Sequence, residues 1–359
     1  MSGVPYQTFP PAQFWKNAAS ASELALVDFD FGKKFSFKAS DGFGTAGSCF
    51  AQHFGRKLIE RGGRVLFAET RHPLLPETYG HGYEVFSARY GNIYTTRQLL
   101  ELLQQAAGLR APIFEFGKRH DGRILDMLRP RAVPAGFANV AEAEADRRYH
   151  LLAVQHLLRS LDVFVFTLGL TESWENSAYG YCYPIVPGAE AGEFDGNRHK
   201  FVNYSVAQVT ADLDAICGIV RALNPHAKVM FTVSPVSLVA TAEPRSVVVS
   251  TVASKSILRA AVDEVVRRFD YVDYFPSYEI ITSPLTRGRF WERNGRDVTA
   301  EGVQTVMQVF FRSRFEQGGV AEPVAAAEVK AQDAENEILA LLEADCDEVI
   351  LDRFNANRS

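Results

Sequence analysis

Gly47-Ser48-Cys49-Phe50-Ala51 is the stretch that decides how this chain is read. It lies between a short strand-like run, Phe43 to Ala46, and a segment, Phe50 to Arg61, with apolar residues at Phe50, Phe54 and Leu58. A spacing of four places those three on one helical face, and Gly62-Gly63 stops the helix. Ser48 is therefore expected at a strand-to-helix turn, with its hydroxyl at the helix N-terminus. Unpaired backbone N–H groups and the positive end of the helix dipole point there, which suits a developing oxyanion. A nucleophilic serine occupies such a turn in the nucleophile elbow of α/β hydrolases. A serine that merely caps the helix would occupy the same position.

Working outward, strand-like and helical segments alternate. Asp162 to Leu168 is a continuous apolar run ended by Gly169, as expected for a parallel strand covered on both faces. Arg64 to Phe67, Lys228 to Ser234 and Tyr271 to Phe275 read as further strands. Helices are expected from Thr96, as cap, to about Ala107, from Ala141 to Leu161, and from a Ser205 cap through Val209, Leu213, Ile216, Val220 and Leu223. Two more are expected over Val247 to Arg268 and from Glu301 to Phe315, the last capped by Thr299 or Asp297. Pro112 to Phe137 reads as irregular. Trp174 to Tyr204 reads as a long polar and aromatic connection, an ordered lid. Residues 1 to about 40 are rich in aromatics, unlike a disordered segment, and read as a wrap on the domain surface.

The alternation predicts one three-layer α/β domain with a mostly parallel sheet, over about residues 1–320. Residues 321–359 turn acidic and Ala/Glu-rich, with Val329, Ile338, Leu341 and Leu342 as a possible helical stripe: a tail that is solvated, packs on the body or joins copies of the chain into a homo-oligomer. Nearly half of the 359 residues are hydrophobic (47%), enough for a sizeable core. A net charge of −5 without a basic run argues against a nucleic-acid surface. No signal peptide is read at Met1 to Pro5, and no apolar run reaches the roughly 18 residues of a membrane span. Cys49, Cys182, Cys217 and Cys346 are scattered, fitting neither a disulfide framework nor a zinc site. A reducing cytoplasm is the simplest compartment, and no cofactor or metal is expected.

In an open parallel sheet, ligands gather at the carboxyl ends of the strands. Ser48, Gly91-Asn92, Gly169-Thr171-Glu172 and Ser234-Pro235 follow strands or lie in nearby loops, so a common cleft is the economical reading. The words themselves say more. Gly47 to Ala51, Tyr90-Gly91-Asn92-Ile93-Tyr94, Thr167-Leu168-Gly169-Leu170-Thr171-Glu172, Thr232-Val233-Ser234-Pro235-Val236, Ser254-Lys255 and Tyr274-Phe275-Pro276-Ser277-Tyr278-Glu279 resemble the GSCFA domain family, named after the first of them. The resemblance runs to about Gln317. That family is similar in fold to the SGNH/GDSL hydrolases, which implies a serine acting on an acyl carbonyl. By that resemblance Ser48 is the nucleophile and Gly91 a backbone oxyanion donor. Residues 169–172 correspond to the loop that carries Gly-x-Asn-Asp in hydrolases. Thr171 then stands where asparagine would be and Glu172 where aspartate would be; a threonine hydroxyl donates one hydrogen bond but is shorter than an amide.

A serine hydroxyl needs a positioned base. The Asp-x-x-His that SGNH hydrolases carry near the C-terminus has no counterpart in Asn294 to Glu301, and no histidine follows His226. His53 and His150 are the available imidazoles, and Asp297 or Glu301 the available carboxylates. His53 lies five residues from Ser48, on a different helical face. Lys255 suits an anion anchor or, desolvated, a base; on a helix it equally suits a solvated face. Cys49 would be the nucleophile only if Ser48 were not. Trp174, Tyr179, Tyr181 and Tyr183 suit a stacking wall for a sugar or acyl group, or simple packing of the lid. Two functions follow. One is an enzyme that hydrolyses or transfers an ester-linked acyl group, on a small molecule or an acylated glycan. The other is a glycan- or partner-binding module without a base.

Overall fold

The computed structural model describes residues 4–21, 24–74, 82–316 and 351. Among the described residues, ten strands and eight α-helices follow one another: α1 (Trp15–Ala19), β1 (Gly42–Ala46), α2 (Cys49–Glu60), β2 (Arg64–Val65), α3 (Thr96–Ala106), β3 (Phe116–Lys118), β4 (Ile124–Asp126), α4 (Val140–Ser160), β5 (Val163–Leu168), β6 (Glu172–Asn176), β7 (Tyr181–Tyr183), β8 (His199–Asn203), α5 (Val206–Leu223), β9 (Lys228–Val233), α6 (Val247–Arg268), β10 (Val272–Tyr274), α7 (Ser277–Thr282) and α8 (Ala300–Arg314).

β10, β9, β5, β1 and β2 lie side by side in that order, and every pair is parallel. Side chains alternate across the central strands, as a two-faced sheet requires. Phe164, Phe166 and Leu168 of β5 and Val229, Phe231 and Val233 of β9 enter one core, packed by α3, α4, α5 and α6. Val163, Val165 and Met230 enter the other, formed with Phe54 and Leu58 of α2, with α7 and α8, and with Leu24, Val27 and Phe37 of the N-terminal segment. This is the expected three-layer α/β domain. Phe310 of α8 anchors the second core, with its ring 4.7 Å from Phe54 and 5.1 Å from Phe275.

Local capping explains the helix starts. Ser205 and Gln208 form a reciprocal capping box on α5, which satisfies two otherwise orphaned donors. α3 is capped by Thr95, one residue before the expected Thr96; the Thr96 hydroxyl instead donates to Asp212 at 3.1 Å. α8 is capped by Thr299, so Asp297 is not its cap. The strand expected over Arg64 to Phe67 pairs only at Arg64 and Val65.

Two expectations from local pattern are corrected. The segment 174–204 is no mere connection: β6 pairs antiparallel with both β7 and β8, with Trp174 against Phe201 at 5.7 Å between rings. Cross-strand pairing of this kind holds a short strand that no single run announces. Pro112 to Phe137 likewise contains the antiparallel hairpin β3–β4. The tail lies outside the described residues except for Leu351. Among the described residues no helix is long and apolar enough to cross a membrane.

Candidate active site

Gly47 takes φ +144°, and Ser48 follows at the N-cap of α2 with extended backbone. The Ser48 side chain makes no capping hydrogen bond and the residue is 8% exposed. Capping therefore does not occupy this hydroxyl. The chain leaves β1 for α2 on one face of the sheet, whereas beyond the adjacent β5 it reaches α5 on the other. Connections that part in this way open a crevice between the two strand ends, the usual place of a ligand in an open α/β sheet. Ser48 follows the carboxyl end of β1, at the point where these connections part.

Backbone hydrogen bonds bring the other loops to it. The Ile93 N–H donates to the Gly47 carbonyl at 2.8 Å, and the Tyr94 carbonyl accepts from Gly169 N–H at 3.0 Å and Leu170 N–H at 2.9 Å. The Ser234 N–H donates to the Leu168 carbonyl at 2.9 Å. Gln98 fixes the 91–94 segment from α3, donating to the Asn92 carbonyl at 2.8 Å and accepting from Tyr94 N–H at 2.9 Å. Gly91 (φ +67°) and the buried Asn92 are thereby held against the Ser48 turn.

The 169–172 loop is committed to internal contacts. The buried Thr171 hydroxyl donates to Asn203 Oδ1 at 2.8 Å and lies 3.1 Å from Ser254 Oγ, which also accepts the Thr171 N–H at 3.0 Å. It is no free oxyanion donor, and the Gly169 N–H is already given to Tyr94. Lys255 is buried on α6 and donates to the Gly169 carbonyl at 2.7 Å. The Ser254-Lys255 pair thus holds this loop from beneath and is not a solvated helix face. Lys255→Met should cost about 1–3 kcal/mol of stability, the usual result of stranding a buried hydrogen-bond partner; urea denaturation measures it.

Among the described residues no imidazole or carboxylate hydrogen-bonds the Ser48 hydroxyl. His53 is half-buried on α2; burial, then the Arg56 and Lys57 charges, push it down to about 4, so it is neutral at pH 7. Asp297 accepts from Asn294 Nδ2 and, at 2.9 Å, from Arg296 Nη1. Arg296 in turn donates to the Ser237 carbonyl at 3.1 Å, which docks the Asp297 loop on the segment after Ser234. Glu301 faces Arg289 at 3.4 Å, well exposed. His150 is fully buried with its Nδ1 2.7 Å from Glu69 Oε2. Burial lowers the His150 pKa against the pull of Glu69. Burial raises that of Glu69, but His150, Arg129 and the Arg89 N–H overcome it and hold Glu69 at about 2. This buried pair, with Arg89 and Arg129 bridging to Asp146, carries no sequence signal beyond His150 itself, because its members are far apart in the chain.

A pocket of about 200 Å³ opens beside the crevice. Its walls include Tyr94 and Leu170 from the two stitched loops, Trp174, Tyr183 and Phe201 from the small sheet, and Leu238. Ser48 is not part of its lining. Glu172 stands at one side, accepting from Thr241 Oγ1 at 2.7 Å and Ala242 N–H at 3.2 Å; burial first raises its pKa. Of the four aromatics expected as a wall, Trp174 and Tyr183 line this pocket. The Tyr181 hydroxyl donates to Glu115 at 2.6 Å, and Tyr179 is exposed. Leu170, Phe201 and Leu238 were not singled out in the sequence; they are ordinary apolar residues that only the fold gathers. Among the described residues no three His, Cys, Asp or Glu side chains are grouped to hold a metal ion.

The parallel sheet with a serine turn at the carboxyl end of β1 defines an α/β protein of the open-sheet kind. Residues 43–310 match the GSCFA family, and the chain belongs to that family. No curated protein matches it. Solved structures similar at a distance include two esterases. A crystal structure of an acetyl esterase mutant with an acetate ion shares 14% identity at a TM-score of 0.25, over 59% of this chain and 85% of that one. A carbohydrate esterase of family 3 from Talaromyces cellulolyticus shares 14% identity at a TM-score of 0.25, over 60% of this chain and 87% of that one. Likeness this distant carries no weight for the reaction.

Proposed function

We propose that this protein is a serine-dependent ester hydrolase or O-acyltransferase whose nucleophile is Ser48. The observation that carries the reading is the Ser48 hydroxyl itself: just past the carboxyl end of β1, at a helix N-terminus, and not engaged in capping. In this reading the Ser48 oxygen bonds to the acyl carbon while the alcohol leaves with a proton. The oxyanion forms beside the first N–H groups of α2, with Gly91 as a further backbone donor of the SGNH kind; each such donor is worth roughly 2.7–4 kcal/mol in a hydrolase. Water or an acceptor hydroxyl, such as that of a glycan, then takes the acyl group. The buried thiols of Cys182 and Cys217 are free and fit a reducing, cytoplasmic setting.

A second reading, a binding module without turnover, is favoured by one observation: the Ser48 hydroxyl makes no hydrogen bond with any described imidazole or carboxylate. A fluorophosphonate probe separates the two, since only an activated serine reacts quickly. The enzyme reading expects stoichiometric labelling that Ser48→Ala abolishes, together with turnover of p-nitrophenyl acetate. Absence of labelling in the folded wild-type chain would leave the binding module standing.

A further inference from the structure

The pocket of about 200 Å³ has a chemically one-sided wall. Among the described residues that line it, Glu172 is charged and no Lys, Arg or His is present. Glu172 is partly buried, and each of its oxygens accepts one hydrogen bond, Oε1 from the Thr241 hydroxyl and Oε2 from the Ala242 N–H. A carboxylate has about four lone-pair sites, so both oxygens keep room for a further donor. The donors beside it are turned to the protein. The Gln98 amide donates to the Asn92 carbonyl, the Ser173 hydroxyl to the Tyr183 carbonyl at 3.1 Å, and the Thr241 hydroxyl to Glu172 itself. Four of the other lining side chains are aromatic: Tyr94, Trp174, Tyr183 and Phe201. Trp174 and Phe201 meet edge to face, with 62° between their planes, so neither ring is stacked over the other. Beyond the wall, Glu243 and Arg245 act on Glu172 in opposite directions.

Such a wall offers a carboxylate and aromatic surface but few donors. An anion meets the Glu172 charge, and the hydroxyls of a sugar find few N–H or O–H partners. An alkylated ammonium group matches the wall on three counts. Its charge pairs with the carboxylate, aromatic rings attract it, and its alkyl carbons leave water for apolar surface. We propose that this pocket is a binding site for a small alkylated ammonium group, held between the Glu172 carboxylate and the aromatic wall. Ser48 is not among the lining residues, so the site stands or falls independently of the ester reading.

The test is isothermal titration of the full chain with choline and with 3,3-dimethylbutan-1-ol, the neutral molecule in which carbon replaces the quaternary nitrogen. Choline should bind about tenfold more tightly, equal to about 1.4 kcal/mol. Glu172→Gln should erase that preference by weakening choline alone. The variant keeps its loop contacts, because the amide oxygen accepts from Ala242 and the Thr241 hydroxyl can turn to accept from the amide. Trp174→Ala should weaken choline more than the alcohol. No binding of choline at millimolar concentration, equal affinity for the two ligands, or a preference that survives Glu172→Gln would overturn the proposal. Tighter binding of acetate or methyl β-glucoside than of choline would do the same. A chain that binds choline but does not label with fluorophosphonate keeps this site and loses the serine chemistry; one that labels without the charge preference does the reverse.

Discussion

Arg314→Ala should lower the free energy of unfolding by about 3–5 kcal/mol, the range for breaking a buried ion pair from one side. Arg314 is fully buried at the end of α8. Its Nη1 donates to Asp273 Oδ2 at 2.6 Å, and its Nη2 donates to Asp30 Oδ1 at 2.7 Å and to the Tyr274 carbonyl at 2.8 Å. Removing the guanidinium leaves Asp30 and Asp273 buried without their cation. Burial already holds Asp30 above the usual carboxylate range in spite of Arg314, so the variant raises it further. A carboxylate whose folded-state pKa exceeds its unfolded value makes the native state bind more protons, and stability then rises as pH falls. The deficit of Arg314→Ala should therefore be largest near pH 7 and shrink towards pH 4. Urea denaturation at both pH values measures it, and a deficit that stays constant or grows on acidification would refute this account.

Gly47→Ala carries the second large effect. A Cβ on Gly47 would meet the Thr167 carbonyl oxygen at 2.8 Å, the Thr167 Cβ at 2.9 Å and the Ala51 Cβ at 3.0 Å. Two of those atoms belong to β5 and one to α2, so neither side yields cheaply. The φ of +144° adds strain for any L side chain. Strain of about 1–3 kcal/mol and overpacking of about 1–3 kcal/mol together predict a loss of roughly 2–6 kcal/mol. The turn should also move, and a displacement of about 1 Å at a reacting group can cost roughly 100-fold. Fluorophosphonate labelling should fall by that order even in the folded fraction. Gly55→Ala is the control: on the adjoining helix α2, its Cβ would meet only Thr45 Oγ1 at 3.8 Å. Alanine there should be neutral or stabilising by up to about 1 kcal/mol.

What the sequence disclosed was whatever repeats within a few residues. Phe54 and Leu58 face one core as their spacing of four requires, and the run from Val163 to Leu168 sends alternate residues into opposite cores. The Ser48 turn was legible because a strand, a glycine and an amphipathic helix adjoin there. The small sheet was not, because β6, β7 and β8 are short and become strands only by pairing across the chain. Within the candidate site, the strand ends pointed to neighbouring loops, and backbone hydrogen bonds tie the 91–94 segment to Gly47 and to Gly169. The employment of Thr171 by Asn203 and Ser254, and of Lys255 by Gly169, was not legible; hydrogen bonds over such separations leave no periodic trace. Nor was the meeting of Glu69 with His150, or of Asp30 with Arg314.

The central strands impose an order on synthesis. β1 lies between β2 and β5, and the β5 partner is more than a hundred residues further along. The first forty residues wait longer still, since Phe37 bridges Phe315 and Asp30 meets Arg314. A nascent chain must therefore carry the apolar edge of β1 uncovered while the ribosome makes more than a third of the protein. Such exposure is slow to resolve and prone to aggregation. Closure comes only when α8 has emerged, so the opening segment is among the last parts of the molecule to find its place.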